Sequence, residues 1–117
     1  MKLSRILSMG LMTAATVATA LPAIAAPKIA SGEITLDTNM NGCLAEVDEF
    51  LTMLDVESSS FDIGRTGFFD DGTFRVLCYP NPYENSDTTL AVIFVAHEDD
   101  VEVAGGFVDV ALEQLGN

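Results

Sequence analysis

Basic residues are scarce. The chain of 117 residues holds five Lys and Arg against eighteen Asp and Glu, a formal net charge of −13. Nucleic acids and anionic lipid surfaces are bound through clustered Lys or Arg, so neither is expected as a partner. Histidine is scarcer still, with His97 the single one. Zinc sites usually draw on several His or Cys ligands. The His97-Glu98 pair would need a second histidine at position 101 to make the H-E-x-x-H helix motif, and that residue is Val101. Calcium loops alternate oxygen ligands as D-x-D-x-D-G, and neither Glu98-Asp99-Asp100 nor Asp70-Asp71-Gly72 does so. No metal and no cofactor are expected.

Catalytic patterns are missing as well. No G-x-S-x-G occurs around Ser58, Ser59 or Ser60. "FDDGT" has Phe69 where the D-x-D-G-T sequence of aspartate-dependent phosphatases has its first aspartate. "GRTG" from Gly64 to Gly67 is a lone G-x-x-G without the strand–turn–helix setting of a phosphate loop. No nucleophile, base and orienting partner can be named together, and catalysis is not expected.

Cysteine is limited to Cys43 and Cys78. Their spacing excludes a C-x-x-C redox pair. A structural Cys43–Cys78 disulfide is the expected arrangement, since small exported domains often need such a staple.

Export itself is read from the first residues. Lys2 and Arg5 precede an uncharged, largely apolar stretch from Ile6 to Leu21, then Pro22 and Ala23-Ile24-Ala25. This is the layout of a secretory signal peptide, expected to be removed after Ala25 or Ala26. The apolar stretch is short for a membrane span. No stable membrane anchor is expected after cleavage, and the product is expected to be periplasmic or secreted. Cleavage leaves Lys28, Arg65 and Arg75 against all eighteen carboxylates. Such a surface keeps molecules apart by self-repulsion.

The remainder is short enough for one small domain. Residues 26–38 carry only a weak strand signal in Ile29, Ile34 and Leu36, and are expected to be loose. From there to residue 117 the pattern predicts an α+β domain. Cys43, Leu44, Val47, Phe50, Leu51 and Leu54 recur at helical spacing, with Asn39 or Asn41 available as the cap. Residues Phe61–Phe69 and Phe74–Tyr79 alternate as two strands of a hairpin around Asp71-Gly72. A two-residue turn would pair Phe69 with Phe74, and a bulged turn would pair Phe69 with Thr73. Phe74, Val76 and Cys78 are expected to face the core, because Cys78 must meet Cys43. "TTLAVIFVAH", ending at His97, is apolar on both faces. It is expected to be covered on both sides, or to leave one side for a partner. Asp99 and Glu102 fit a capping box for a closing helix with a stripe of Val101, Ala104, Phe107, Val108, Ala111, Leu112 and Leu115. Gly105 and Gly106 interrupt that stripe, and Gly116 is placed to stop the helix. The expected fold is thus a helix, a three-stranded antiparallel meander and a second helix, with both helices on one sheet face.

The leading functional expectation is a non-catalytic, exported domain that binds a protein or peptide. Tyr79, Asn81 and Tyr83, in a Pro-rich connection, and the unassigned His97 are the candidate binding residues. The alternatives are an ion-binding or hydrolytic protein centred on His97 and its neighbouring carboxylates, and a structural envelope component.

Overall fold

The computed structural model describes residues 26–83 and 87–116. The expected signal peptide, residues 1–25, lies outside the described residues. The chain runs β1 (Lys28–Leu36), α1 (Met40–Leu54), β2 (Glu57–Phe61), β3 (Gly64–Phe69), β4 (Gly72–Pro80), β5 (Thr89–His97) and α2 (Val101–Leu115). The strands form one antiparallel sheet in the order β1-β5-β4-β3-β2, so β4 is the middle strand.

The class is α+β, but the sheet has five strands where three were expected. Each extra strand has a physical reason. Residues 26–38, expected as a loose segment, contain β1, which pairs with β5 from Lys28↔His97 to Leu36↔Thr89. Without β1, the backbone donors and acceptors on one side of β5 would lack ladder partners. At the other edge, the expected strand Phe61–Phe69 breaks at Asp62-Ile63 and doubles back. The new edge strand β2 is largely serine, so it carried no apolar alternation to read.

The helix arrangement also differs. A strand precedes α1, and the two helices lie over different halves of the sheet. Helix α2 packs chiefly on β1 and β5, while α1 packs on β4 and β3. Val108 and Leu112 of α2 close over Gly32 of β1. Register carries that face across the sheet: Gly32↔Ile93, Ile93↔Val76, then Phe74↔Gly67. Cys78 points the same way and forms the disulfide with Cys43 of α1, their Cα atoms 6.2 Å apart. Both helices therefore sit on one face.

Helix α1 starts at Asn39, whose Oδ1 accepts from the Gly42 N–H at 2.9 Å. It ends at Asp55, which adopts the left-handed conformation. Cys43, Val47, Phe50 and Leu51 are its buried stripe. Helix α2 is capped by Asp100, one residue later than expected. The Asp100 carboxylate accepts from the N–H groups of Glu102 and Val103 at 2.9 and 3.3 Å.

The β3–β4 turn has two residues, as one expected register did, but it sits one residue earlier in the chain. Phe69 pairs with Gly72, and Asp70-Asp71 form a two-residue loop. Of the Asp71-Gly72 pair expected to supply positive φ, Asp71 does so at 59° and Gly72 does not. This register sets Phe74 directly opposite Gly67. The Phe74 ring lies across Gly67 so closely that a Cβ there would come within 2.3 Å of it. Phe74 in turn meets Phe50, Phe69 and Phe107, with centroids 4.7–6.3 Å apart. This aromatic cluster and the fully buried Ile93, Val47, Val76 and Val95 form the core between helices and sheet.

Two stability predictions follow from these contacts. Closing a loop of 35 residues stabilises by about 4 kcal/mol in the chain-entropy model. Urea unfolding with and without reductant is expected to show a loss of that order. The glycine pair in α2 behaves oppositely. A Cβ at Gly105 or Gly106 would meet nothing within 4 Å, and neither residue has positive φ. Close packing therefore does not require them, and Gly105→Ala and Gly106→Ala are each expected to raise stability by about 0.5–1 kcal/mol in the same assay.

Candidate functional site

The alternation that aims Phe74, Val76 and Cys78 at the helices aims Thr73, Arg75, Leu77 and Tyr79 at the opposite face. Register adds Ile29 from β1, Val92, Phe94 and Ala96 from β5, Phe68 from β3 and Phe61 from β2. No described element covers this face. Ile29 is 63% exposed, Phe68 46% and Phe94 44%, whereas Phe74, Val76, Ile93 and Val95 on the helix side are at most 1% exposed. A shallow cleft of about 320 Å³ runs across it, lined by Ile29, Thr66, Thr73, Arg75, Phe94 and Ala96.

Arg75 lies near the middle of this surface. It sits on the central strand between Thr66 of β3 and Phe94 of β5. Its Nε donates to Thr66 Oγ1 at 3.0 Å, and its guanidinium carbon stands 4.9 Å from the centroid of the Phe61 ring. It pairs with no carboxylate among the described residues. Arg65, on the helix side, behaves differently. Its Nε and Nη2 donate to the two Asp48 oxygens at 2.6 and 3.2 Å, and its Nη1 donates to the carbonyls of Phe61 and Gly64. The hydrogen bond to Asp48 raises the Arg65 pKa above its ordinary value, against a smaller opposing effect of burial. A larger recess of about 430 Å³ opens beside this pair, lined by Asp48, Leu51, Thr52, Asp55, Val56 and Ser58. Asp48 is already committed to Arg65 there, and Asp55 closes α1.

The four residues singled out from the sequence do not come together. Tyr79, 37% exposed, belongs to the open face, opposite Leu90. Asn81 is buried and ties its loop: its Nδ2 donates to Thr88 Oγ1 and its Oδ1 accepts the Tyr83 N–H. Tyr83 is exposed in the connection. His97 lies at the far end of the β4–β5 ladder, opposite Gly72, and points to the helix side.

His97 is buried and stacks on Phe69, with ring centroids 6.2 Å apart. Its Nδ1 accepts the backbone N–H groups of Asp100 and Asp99 at 3.0 and 3.3 Å. Two donors aimed at Nδ1 assign the proton to Nε2. Asp99 Oδ1 is also 3.3 Å from Nδ1, but Nδ1 cannot both accept these N–H groups and donate to a carboxylate. The Asp99 side chain is 82% exposed, and we read it as a neighbour rather than a partner. Among the described residues, no three His, Cys, Asp or Glu side chains group so as to hold a metal ion.

The surface residues that sequence reasoning missed are Ile29, Phe61, Thr66, Phe68, Arg75, Leu77 and Phe94. Their one sequence signal was β5, apolar on both faces.

Fold and site together define a class: a small disulfide-bridged α+β layer, two helices on one sheet face and an apolar, arginine-centred opposite face. Comparison of the chain with protein-family models, curated proteins and solved structures returned no match.

The assignment of His97 to the β5–α2 turn predicts a stability effect. His97→Ala removes the acceptor and the ring stacked on Phe69, and is expected to cost about 2 kcal/mol. His97→Asn keeps a side-chain acceptor and is expected to recover part of that loss. Denaturant midpoints of the two variants check this; equal midpoints would remove the turn-holding role.

Proposed function

We propose that this protein is an exported, non-catalytic module that binds a protein or peptide on its open sheet face. The observation carrying this reading is the exposure of Ile29, Phe68, Tyr79 and Phe94 together on one uncovered face. Contiguous exposed apolar surface on a small domain marks an interaction site. The apolar side chains reach from Ile29 on β1 to Phe68 on β3, three strand spacings or roughly 14 Å. That breadth suits a polypeptide segment better than one acyl chain.

Other features support the reading. The Cys43–Cys78 bridge fits an oxidising compartment. The sequence from Met1 to Ala25 has the layout that directs export. No described helix is long and apolar enough to cross a membrane. The single histidine is engaged by a turn, away from the open face.

The test is site-specific photo-crosslinking in the export compartment. A photoreactive residue at position 94 is expected to give a discrete crosslinked protein or peptide. The same residue at position 53, where Met53 is exposed on α1, is expected to give none. Equal products at both positions, or none at position 94, would count against the open face as the binding surface.

A further inference from the structure

We infer that Arg75 is the specificity determinant of the open face, and that it receives an acidic side chain flanked by apolar residues in the partner segment. This rests on the reading of the open face as the binding surface.

The argument begins with where the charges lie. The strands direct only two carboxylates to this face, Glu33 and Glu57, and both are on edge strands. The other acidic residues among the described ones lie in helices, turns and loops. Among the described residues, the middle of the face therefore has one formal charge, and it is positive. In so acidic a chain, an arginine without a carboxylate partner among the described residues is conspicuous, because Arg65 has taken one across the sheet.

Arg75 is also held in place. Thr66 accepts from its Nε, and the Phe61 ring lies against the guanidinium. Its two terminal nitrogens have no hydrogen-bond partner among the described residues. A guanidinium already fixed by a hydrogen bond and an aromatic face loses little further freedom on binding. Its planar fork matches a carboxylate, and the surrounding Phe94, Ile29 and Ala96 would reduce water competition around such a pair.

A second copy of the chain fits poorly. A two-fold axis through the middle of the face would bring two Arg75 side chains together, and each chain carries a formal charge of −13. An apolar segment with a central carboxylate fits both the charge and the surface around it.

The experiment selects random twelve-residue peptides from a displayed library on the purified, oxidised protein. Parallel selections use Arg75→Gln and Phe94→Ser. Arg75 is exposed, so the fold is expected to survive its replacement, and thermal unfolding checks this. Wild-type selection is expected to enrich Asp or Glu between apolar residues, and selection on Arg75→Gln to lose that acid. Individual peptides are expected to bind about tenfold more weakly to Arg75→Gln, and about as much more weakly when their acid becomes an amide. Combining both changes is expected to cost little more than either. Arg75→Lys keeps the charge without the fork and is expected to fall between.

Apolar peptides without an acid, bound equally by Arg75→Gln but lost on Phe94→Ser, would overturn the role of Arg75 and leave the binding face standing. No enrichment, or enrichment indifferent to Phe94→Ser, would overturn both. Arg75-dependent binding of dodecanoate with no acidic peptide enriched would replace the peptide with a small amphiphile. A dimer in sedimentation, lost on Phe94→Ser, would replace it with a second copy.

Discussion

A disulfide ties the first turn of α1 to β4, the middle strand of the sheet. Its influence exceeds its contribution to stability. Successive strand residues point to opposite faces, so aiming Cys78 at the helix aims Phe74 and Val76 there as well. The same choice sends Thr73, Arg75, Leu77 and Tyr79 outward. Register then carries the division through β5, β3 and the edge strands. One covalent link is thus consistent with only one assignment of covered and open faces. A one-residue slip of β4 would turn Cys78 away from Cys43 and exchange Arg75 for a core position.

Much of this arrangement was legible where burial is one-sided. The α1 stripe, the Asn39 cap, the bridge and the α2 stripe from Ala104 onward appear as periodic apolar positions beside a recognisable stop or start, whereas Val101, expected in that stripe, is 55% exposed. The edges were not legible, because edge strands need backbone partners more than apolar side chains. Strand β1 uses Gly32 beneath α2 and Ala30 against the core, too small to announce a buried face. Strand β2 has serine at its three central positions. The turn was displaced by one residue: Asp71 is left-handed as expected, but Gly72 already belongs to β4 and pairs with Phe69. The α2 cap moved from Asp99 to Asp100 because the Asp99 and Asp100 N–H groups both turn toward His97.

The candidate site was legible only in outline. The two-sided apolar character of β5 pointed to either a second cover or an exposed surface, and the described elements leave it exposed. Arg75 carried no such signal. A cation at an alternating strand position reads as an ordinary solvent-facing residue. Its setting comes from Thr66 and Phe61 on other strands and from Phe94 across the ladder. His97 shows the reverse. Three adjacent carboxylates made it conspicuous in sequence, yet its partners are two backbone N–H groups and a phenylalanine ring.

An uncovered apolar sheet face invites self-association, and the distribution of acid bears directly on that hazard. Carboxylates on the helices and loops give every copy the same sign and keep copies apart at distances set by screening. Glu33 and Glu57 extend that protection to the two edge strands. The middle of the face has no such carboxylate among the described residues. Arg75 gives that position the opposite sign: two copies would oppose like charges, while a segment bearing a carboxylate would meet an unlike one. A single guanidinium can therefore favour a partner and disfavour the chain's own copies through the same interaction.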